Sequence, residues 1–334
     1  MLKRLLSRNE TYLIVIILIY SIIVGIKNPA FLSYENFFDM LRASSGKLLL
    51  ALGVLIVLIS GGIDVSFTAI AIFGGYASTK LMLLTKIDNL AFAFIISASI
   101  GIILGSINAL IIHYFRLPTL IATLGTSSVF FGLMTILVGT KSINAGQMPS
   151  SITNFSGARL FERIAPSGNT YGLSAFIIPV ILAIFITWFI LYRTMLGRGI
   201  FAMGNSEESA KRSGFNLFLI RFFIYTYVGI LAGIMGVVYV AEVRWVNPIS
   251  LVGSELSIIA AVVIGGAKLT GGEGTILGAV LGIIIIQLLN STLVFLGLSS
   301  SWNDFFVGLI LLISVSITSY QYRLKSRRNL TFSD

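Results

Sequence analysis

Apolar residues run almost unbroken along this chain, and short polar clusters interrupt them at intervals. Runs near the length at which an α-helix crosses hydrocarbon fall at about residues 12–26, 48–60, 67–84, 90–112, 119–139, 174–192, 217–241, 251–265, 275–296 and 305–319. They predict about ten transmembrane helices, the second and eighth of them short. The polar segments between them are brief except for residues 140–173, where Pro149 and Pro166 forbid a long continuous helix. No Pro-, Gly- or Ser-rich linker sets off a soluble unit, so residues 1–334 read as a single transmembrane domain.

Composition fixes the class. The chain is 56% hydrophobic and 11% charged, with a mean hydropathy of +0.97. A soluble fold of 334 residues has no core large enough for that much apolar surface. The reading is an all-α polytopic membrane protein embedded in lipid. Its net charge of +10 is then a matter of topology and needs no nucleic-acid partner. With the N-terminus cytoplasmic, ten spans return the C-terminus to the cytoplasm. Fourteen of the 23 Lys and Arg residues then fall inside and nine outside, as the positive-inside rule favours. This orientation puts the segment 197–216 inside and the loop 140–173 outside. The N-terminus has a basic start and an apolar run but no small-residue cleavage site after it; Lys27-Asn28-Pro29 follows. It reads as a retained first span.

Several chemistries are missing. There is no cysteine and one histidine, His113, so neither disulfide nor thiolate chemistry nor a metal site is expected. No phosphate-cradling G-x-x-x-x-G-K-[ST] loop occurs; the segment Gly265-Gly266-Ala267-Lys268-Leu269-Thr270-Gly271-Gly272-Glu273-Gly274 lacks that ending. No cofactor site and no enzyme activity are expected. Asp64, Glu255 and Asp304 lie near span ends, whereas an ion-coupled carrier keeps such groups within its spans. The chain reads as a solute path whose energy comes from another subunit. An ion-coupled carrier acting alone is the alternative class.

Three sets of residues stand out. Within residues 197–216, Asn205 or Ser206 is a helix N-cap, Glu207 and Glu208 occupy the first turn, and Lys211 and Arg212 the last; Ala210 lies between, and Ser213 leads to Gly214 as a left-handed stop. Such a helix is too short to be stable alone and rests on this protein or a partner; it is either a capped surface turn joining two spans or a docking helix for a cytoplasmic motor. The second set is Gly61, Gly62, Asp64 and Ser66. Ser66 is expected to cap the third span, with Asp64 one turn outside at the cytoplasmic ends of the spans, where it need not be buried, either as a capping or subunit-contact residue or as a substrate contact. Setting Gly61-Gly62 on Gly265-Gly266 puts Gly74 on Gly278 and Ser66 on Thr270. That pairing is either an internal repeat with glycine-broken segments or chance recurrence among 33 glycines. The third set is polar residues inside spans: Gln287 and Asn290 on one helix face, Asn108, Thr123, Thr126 and Ser127. They serve either interhelical hydrogen bonds or weak contact with a solute. Gly101 and Gly105, Gly229 and Gly233, and Gly278 and Gly282 have the four-residue spacing of close helix packing.

Four segments in order, LALGVLIVLISGGIDVSFTAIAIFGGYAS, LPTLIATLGTSSVFFGLM, FAMGNSEESAKRSGFN and VVIGGAKLTGGEGTILGAVLG, resemble the ribose-type sugar ABC transporter permeases. The resemblance covers essentially the whole chain. It implies a bacterial inner-membrane importer in which two permease chains, identical or homologous, bind two ABC ATPase subunits and receive a small solute from an extracytoplasmic binding protein. It also implies that Asn205 to Gly214 is the ATPase-coupling helix. One departure bears on the cargo: Val65-Ser66-Phe67-Thr68 stands where the sugar permeases have Leu-Ser-Val-Gly. Permeases for furanone autoinducers, nucleosides or amino acids belong to the same superfamily and are the alternatives.

Overall fold

A computed structural model describes residues 9–164, 168, 170–295, 299, 302, 303, 305–309, 312 and 316. Most of the tenth run, 305–319, and the charged tail with Arg323, Lys325, Arg327 and Arg328 lie outside these residues, as do Lys3, Arg4, Arg8 and Pro166.

The long helices are α1 (Asn9–Lys27), α2 (Tyr34–Ile59), α3 (Phe67–Thr85), α4 (Leu90–Phe115) and α5 (Thr119–Leu137). A short helix α6 (Ser150–Gly157) and an antiparallel hairpin, β1 (Arg159–Ile164) with β2 (Thr170–Ser174), follow. Then come α7 (Ile177–Arg193), α8 (Met195–Asn205), α9 (Glu207–Arg212), α10 (Leu217–Val243), α11 (Glu255–Ile264) and α12 (Ile276–Phe295). Among the described residues seven helices are long and apolar enough to cross a membrane, and α7 with α8 makes an eighth when counted as one span bent by 73°.

Burial sorts these helices. Leu48 to Ile59 of α2 are buried on every side, as suits a helix apolar all round. In the most apolar stretch of α2 83% of residues are buried, against 17% in α1, so α2 is the axis and α1 faces outward to lipid or a partner. α10 crosses α4 at glycines: a Cβ on Gly101 would lie 2.0 Å from the Gly229 carbonyl oxygen, and one on Gly229 2.0 Å from that of Gly101. Gly278 and Gly282 likewise let α12 meet α11, with hypothetical Cβ atoms 1.9 Å from the carbonyl oxygens of Gly265 and Ala261. Side-chain-free crossings of this kind bring backbones into contact.

Two boundaries differ from the sequence reading. The second span starts at Tyr34, not at residue 48, because Ser33 caps it by accepting from Asn36 N–H at 3.2 Å. Arg42 and Lys47 are therefore on a helix, not in a loop. The eighth run, expected over 251–265, is helical only from Glu255 to Ile264. Ten residues rise about 15 Å, half of the hydrocarbon thickness, so α11 ends within the bundle.

Candidate functional site

α2 and α11 end in the same way. Ser60, Gly61 and Gly62 donate to the carbonyls of Ile56, Leu58 and Val57; Gly265, Gly266 and Ala267 donate to those of Ala261, Val263 and Val262. Gly61 (φ +82°) and Gly266 (φ +95°) hold the left-handed position that closes each helix. The two breaks are thus one motif used twice, but Gly61 corresponds to Gly266, and the pairing of Gly61 with Gly265 is off by one residue. The connection after Gly265 is also the longer, so Ser66, just before α3, has no counterpart in Thr270, well before α12.

Non-helical backbone within a bundle needs partners for its N–H groups. After the first break α5 supplies them: Thr119 Oγ1 accepts from Ile63 N–H at 2.9 Å, and Thr123 Oγ1 from Val65 N–H at 3.3 Å. Asp64 is buried, although a place at the helix ends does not by itself require it. Its Oδ1 accepts from both the N–H and the hydroxyl of Ser66 at 2.7 Å, and Asn108 Nδ2 donates to Ser66 Oγ at 2.7 Å. Ser66 makes no side-chain cap to α3; its hydroxyl is committed to the carboxylate. Asn108 and Thr123 therefore brace the break, Thr126 bonds within its own helix to Thr123 O at 3.3 Å, and Ser127 is half-buried on α5.

Both breaks meet α8. Gly272 N–H donates to Ile59 O at 2.8 Å. A Cβ on Gly204 would sit 1.8 Å from Ile59 O and 2.6 Å from Gly272 N, and one on Gly271 2.6 Å from Gly204 O. Directly beyond lies α9. Ser206, not Asn205, is its N-cap, accepting from Ser209 N–H at 3.2 Å, while Asn205 Nδ2 turns back to Phe201 O at 2.8 Å. Ala210 is buried and anchors the helix, and Gly214 (φ +86°) ends it after Ser213. Glu207 pairs with Arg221 of α10, and Glu208 with Arg212 one turn on. A groove of about 1180 Å³ opens beside α9, lined by Glu207, Glu208 and Lys211 on one side and His113, Arg116 and Arg221 on the other.

Gln287 and Asn290 lie elsewhere. They line a cavity of about 430 Å³ between α2, α10, α11 and α12, opening on the face opposite α9. Lys47 and Glu242 share it, and neither stood out in the sequence. The second apolar run starts at Leu48 and the seventh ends at Ala241, each one residue short of the charge. Among the described residues no group of three or more His, Cys, Asp or Glu could hold a metal ion.

The family described as "Branched-chain amino acid transport system / permease component" matches residues 36–315. Two curated relatives are the "Autoinducer 2 import system permease protein LsrC" of Yersinia pestis (strain Pestoides F) and of Yersinia pseudotuberculosis serotype O:1b (strain IP 31758). Each is 31% identical over 330 residues, covering 99% of this chain and 90% of the relative. No solved structure gives a significant match. A match over most of the chain, joined to a bundle of long apolar helices, establishes that the protein belongs to the branched-chain amino acid transport system permease family.

Proposed function

We propose that this chain lines the translocation path of a bacterial inner-membrane ABC importer for a small polar solute, either a monosaccharide or autoinducer 2. A second permease chain, identical or homologous, completes the path. ABC ATPase subunits bind on the α9 face, and an extracytoplasmic binding protein delivers cargo to the other. The family match over residues 36–315 carries this reading. The relatives named for autoinducer 2 import bring that cargo forward beside the sugars. Residues 205–214 are assigned the coupling role because α9 is anchored by one buried alanine, is capped at both ends and continues directly from the glycine contacts at α8.

The test is co-purification in detergent with an ABC ATPase subunit co-expressed from the same genome. The chain with native residues 205–214 should retain the ATPase, and a chain with that segment scrambled should lose both the ATPase and solute uptake. Full ATPase retention by the scrambled chain would refute the coupling role. Ion-gradient-driven flux in liposomes holding this chain alone would refute the importer reading.

A further inference from the structure

The cavity between α2, α10, α11 and α12 holds an unusual set of groups for a membrane interior. Lys47 Nζ donates to Gln287 Oε1 at 2.7 Å across 240 residues of sequence. The Glu242 carboxylate is near enough to Lys47 to interact with it electrostatically. Lys47 is the one cation in the lining and is held by a neutral amide, and Glu242 is the one anion there; Arg42 also acts on Glu242 from outside the lining, with its guanidinium turned to Ser156 and the Phe176 ring. Asn290, Ser254 and Ser257 add amide and hydroxyl groups to the lining. Asn303 Oδ1 is buried there without a hydrogen-bond partner among the described residues. A buried acceptor with no donor is costly, and a ligand hydroxyl would satisfy it. Met235, Ile258, Ile283 and Ile286 supply apolar walls. The rim carries Val252 and Gly253 of the loop before α11, so entry is from the face opposite the coupling helix.

These observations select among solutes. A charged molecule would shed its water into a partly apolar chamber whose lining already carries one group of each sign, Lys47 and Glu242, and that desolvation is costly. A zwitterion would need Lys47 freed from Gln287 before its carboxylate could pair there. A neutral polyhydroxylated molecule needs neither. Its hydroxyls both donate and accept, so they can bond to Asn303 Oδ1, the Asn290 amide, the serines and the remaining N–H groups of Lys47 and Gln287 while that pair stays joined. The volume, about 430 Å³, lies at the low end for small-molecule pockets. We infer that this cavity is the outward-facing solute subsite of the permease and that it takes an uncharged polyhydroxylated solute, with Lys47, Gln287, Asn290 and Asn303 as its polar contacts. The inference rests on the importer reading above and adds to it the location of the site and the charge class of its occupant.

The absence of cysteine makes the test clean. Ser257→Cys on α11 and, separately, Val252→Cys at the rim are introduced into the full transporter reconstituted with its ATPase and binding protein. Labelling by a small anionic methanethiosulfonate is timed with D-ribose, autoinducer 2 or L-leucine present. The site predicts at least threefold slower labelling with D-ribose or autoinducer 2 and no slowing with L-leucine. Lys47→Met should lower uptake of the protecting solute at least tenfold while ATPase co-purification is unchanged, and Lys47→Arg should restore part of it. Protection by L-leucine would overturn the inference. So would unaltered labelling at both positions in a transporter that does carry D-ribose or autoinducer 2. A wild-type assembly that carries neither solute would remove the proposed cargo, and the subsite with it. Two labelling positions keep the test decisive if one variant does not assemble.

Discussion

Gly229→Ala tests the crossing of α4 and α10 with the smallest side chain available. The added Cβ would lie 2.0 Å from the Gly101 carbonyl oxygen and 3.2 Å from Gly105 Cα. Ordinary contact begins near 3.4 Å, so more than an ångström must be recovered, and the obstacle is backbone. No rotamer change can relieve it; the helices must separate. Overpacking of a tight contact costs about 1–3 kcal/mol. Gly125→Ala is the control, because nothing lies within 4 Å of that position on α5. There alanine gains up to about 1 kcal/mol of helix propensity. Fluorescence size-exclusion of heated, detergent-solubilised protein reads both. The midpoint should fall by roughly 2–4 °C for each kcal/mol at Gly229 and hold or rise at Gly125. Gly101→Ala meets the same crossing from the other side, 2.0 Å from Gly229 O. Once the first methyl has parted the helices, the second costs less, so the double variant should lose less than the two single losses combined. Equal midpoints for Gly229→Ala and Gly125→Ala, or strict additivity of the pair, would refute a backbone-limited crossing.

Other perturbations have defined outcomes. Ser206→Ala removes the N-cap of α9, worth about 1 kcal/mol, and should weaken ATPase co-purification severalfold; undiminished binding would show that the partner supplies the cap. Gly214→Val forces a β-branched residue into φ +86° at about 1–2 kcal/mol, whereas Gly214→Asn should retain more coupled ATPase activity because asparagine tolerates that region. Asp88, in the turn between α3 and α4, accepts from the Ser150 and Ser151 N–H groups and the Ser150 hydroxyl at the start of α6. Those hydrogen bonds hold its carboxyl down at about 2. The unfolded carboxyl titrates near 3.8, so this contribution is present above that pH and is lost as pH falls toward 2. Thermal midpoints of the wild type should drop over that window more steeply than those of Asp88→Asn, and parallel curves would remove Asp88 as the cap of α6.

The sequence made the membrane class, most spans, both glycine breaks and the short capped helix legible, because each is written in contiguous residues. Periodicity, a cap or a stop glycine needs no distant partner. What it concealed depends on residues far apart. Asp64 reads as a surface acid until Ser66, Asn108 and Thr123 converge on the first break from three elements. Lys47 and Glu242 read as loop charges because an apolar run ends, by definition, at the first charge. Their helices continue past them, and it is the cavity between the helices that accommodates the charge. The half-length of α11 was hidden for the converse reason: Leu251 and Val252 are apolar but not helical.

At the junction of Gly61, Gly204 and Gly271 no side chain separates the packed segments. Side chains act as springs between packed elements, since a rotamer can swing to take up a small displacement. At this junction main chain rests on main chain, with Ile59 O, Gly204 and Gly272 N in mutual contact. The joint has almost no compliance, so a push at the end of α8 arrives undamped at the ends of both broken connections together. Sequence drift has little means to soften it, because any side chain added there wedges the joint apart before it can cushion it.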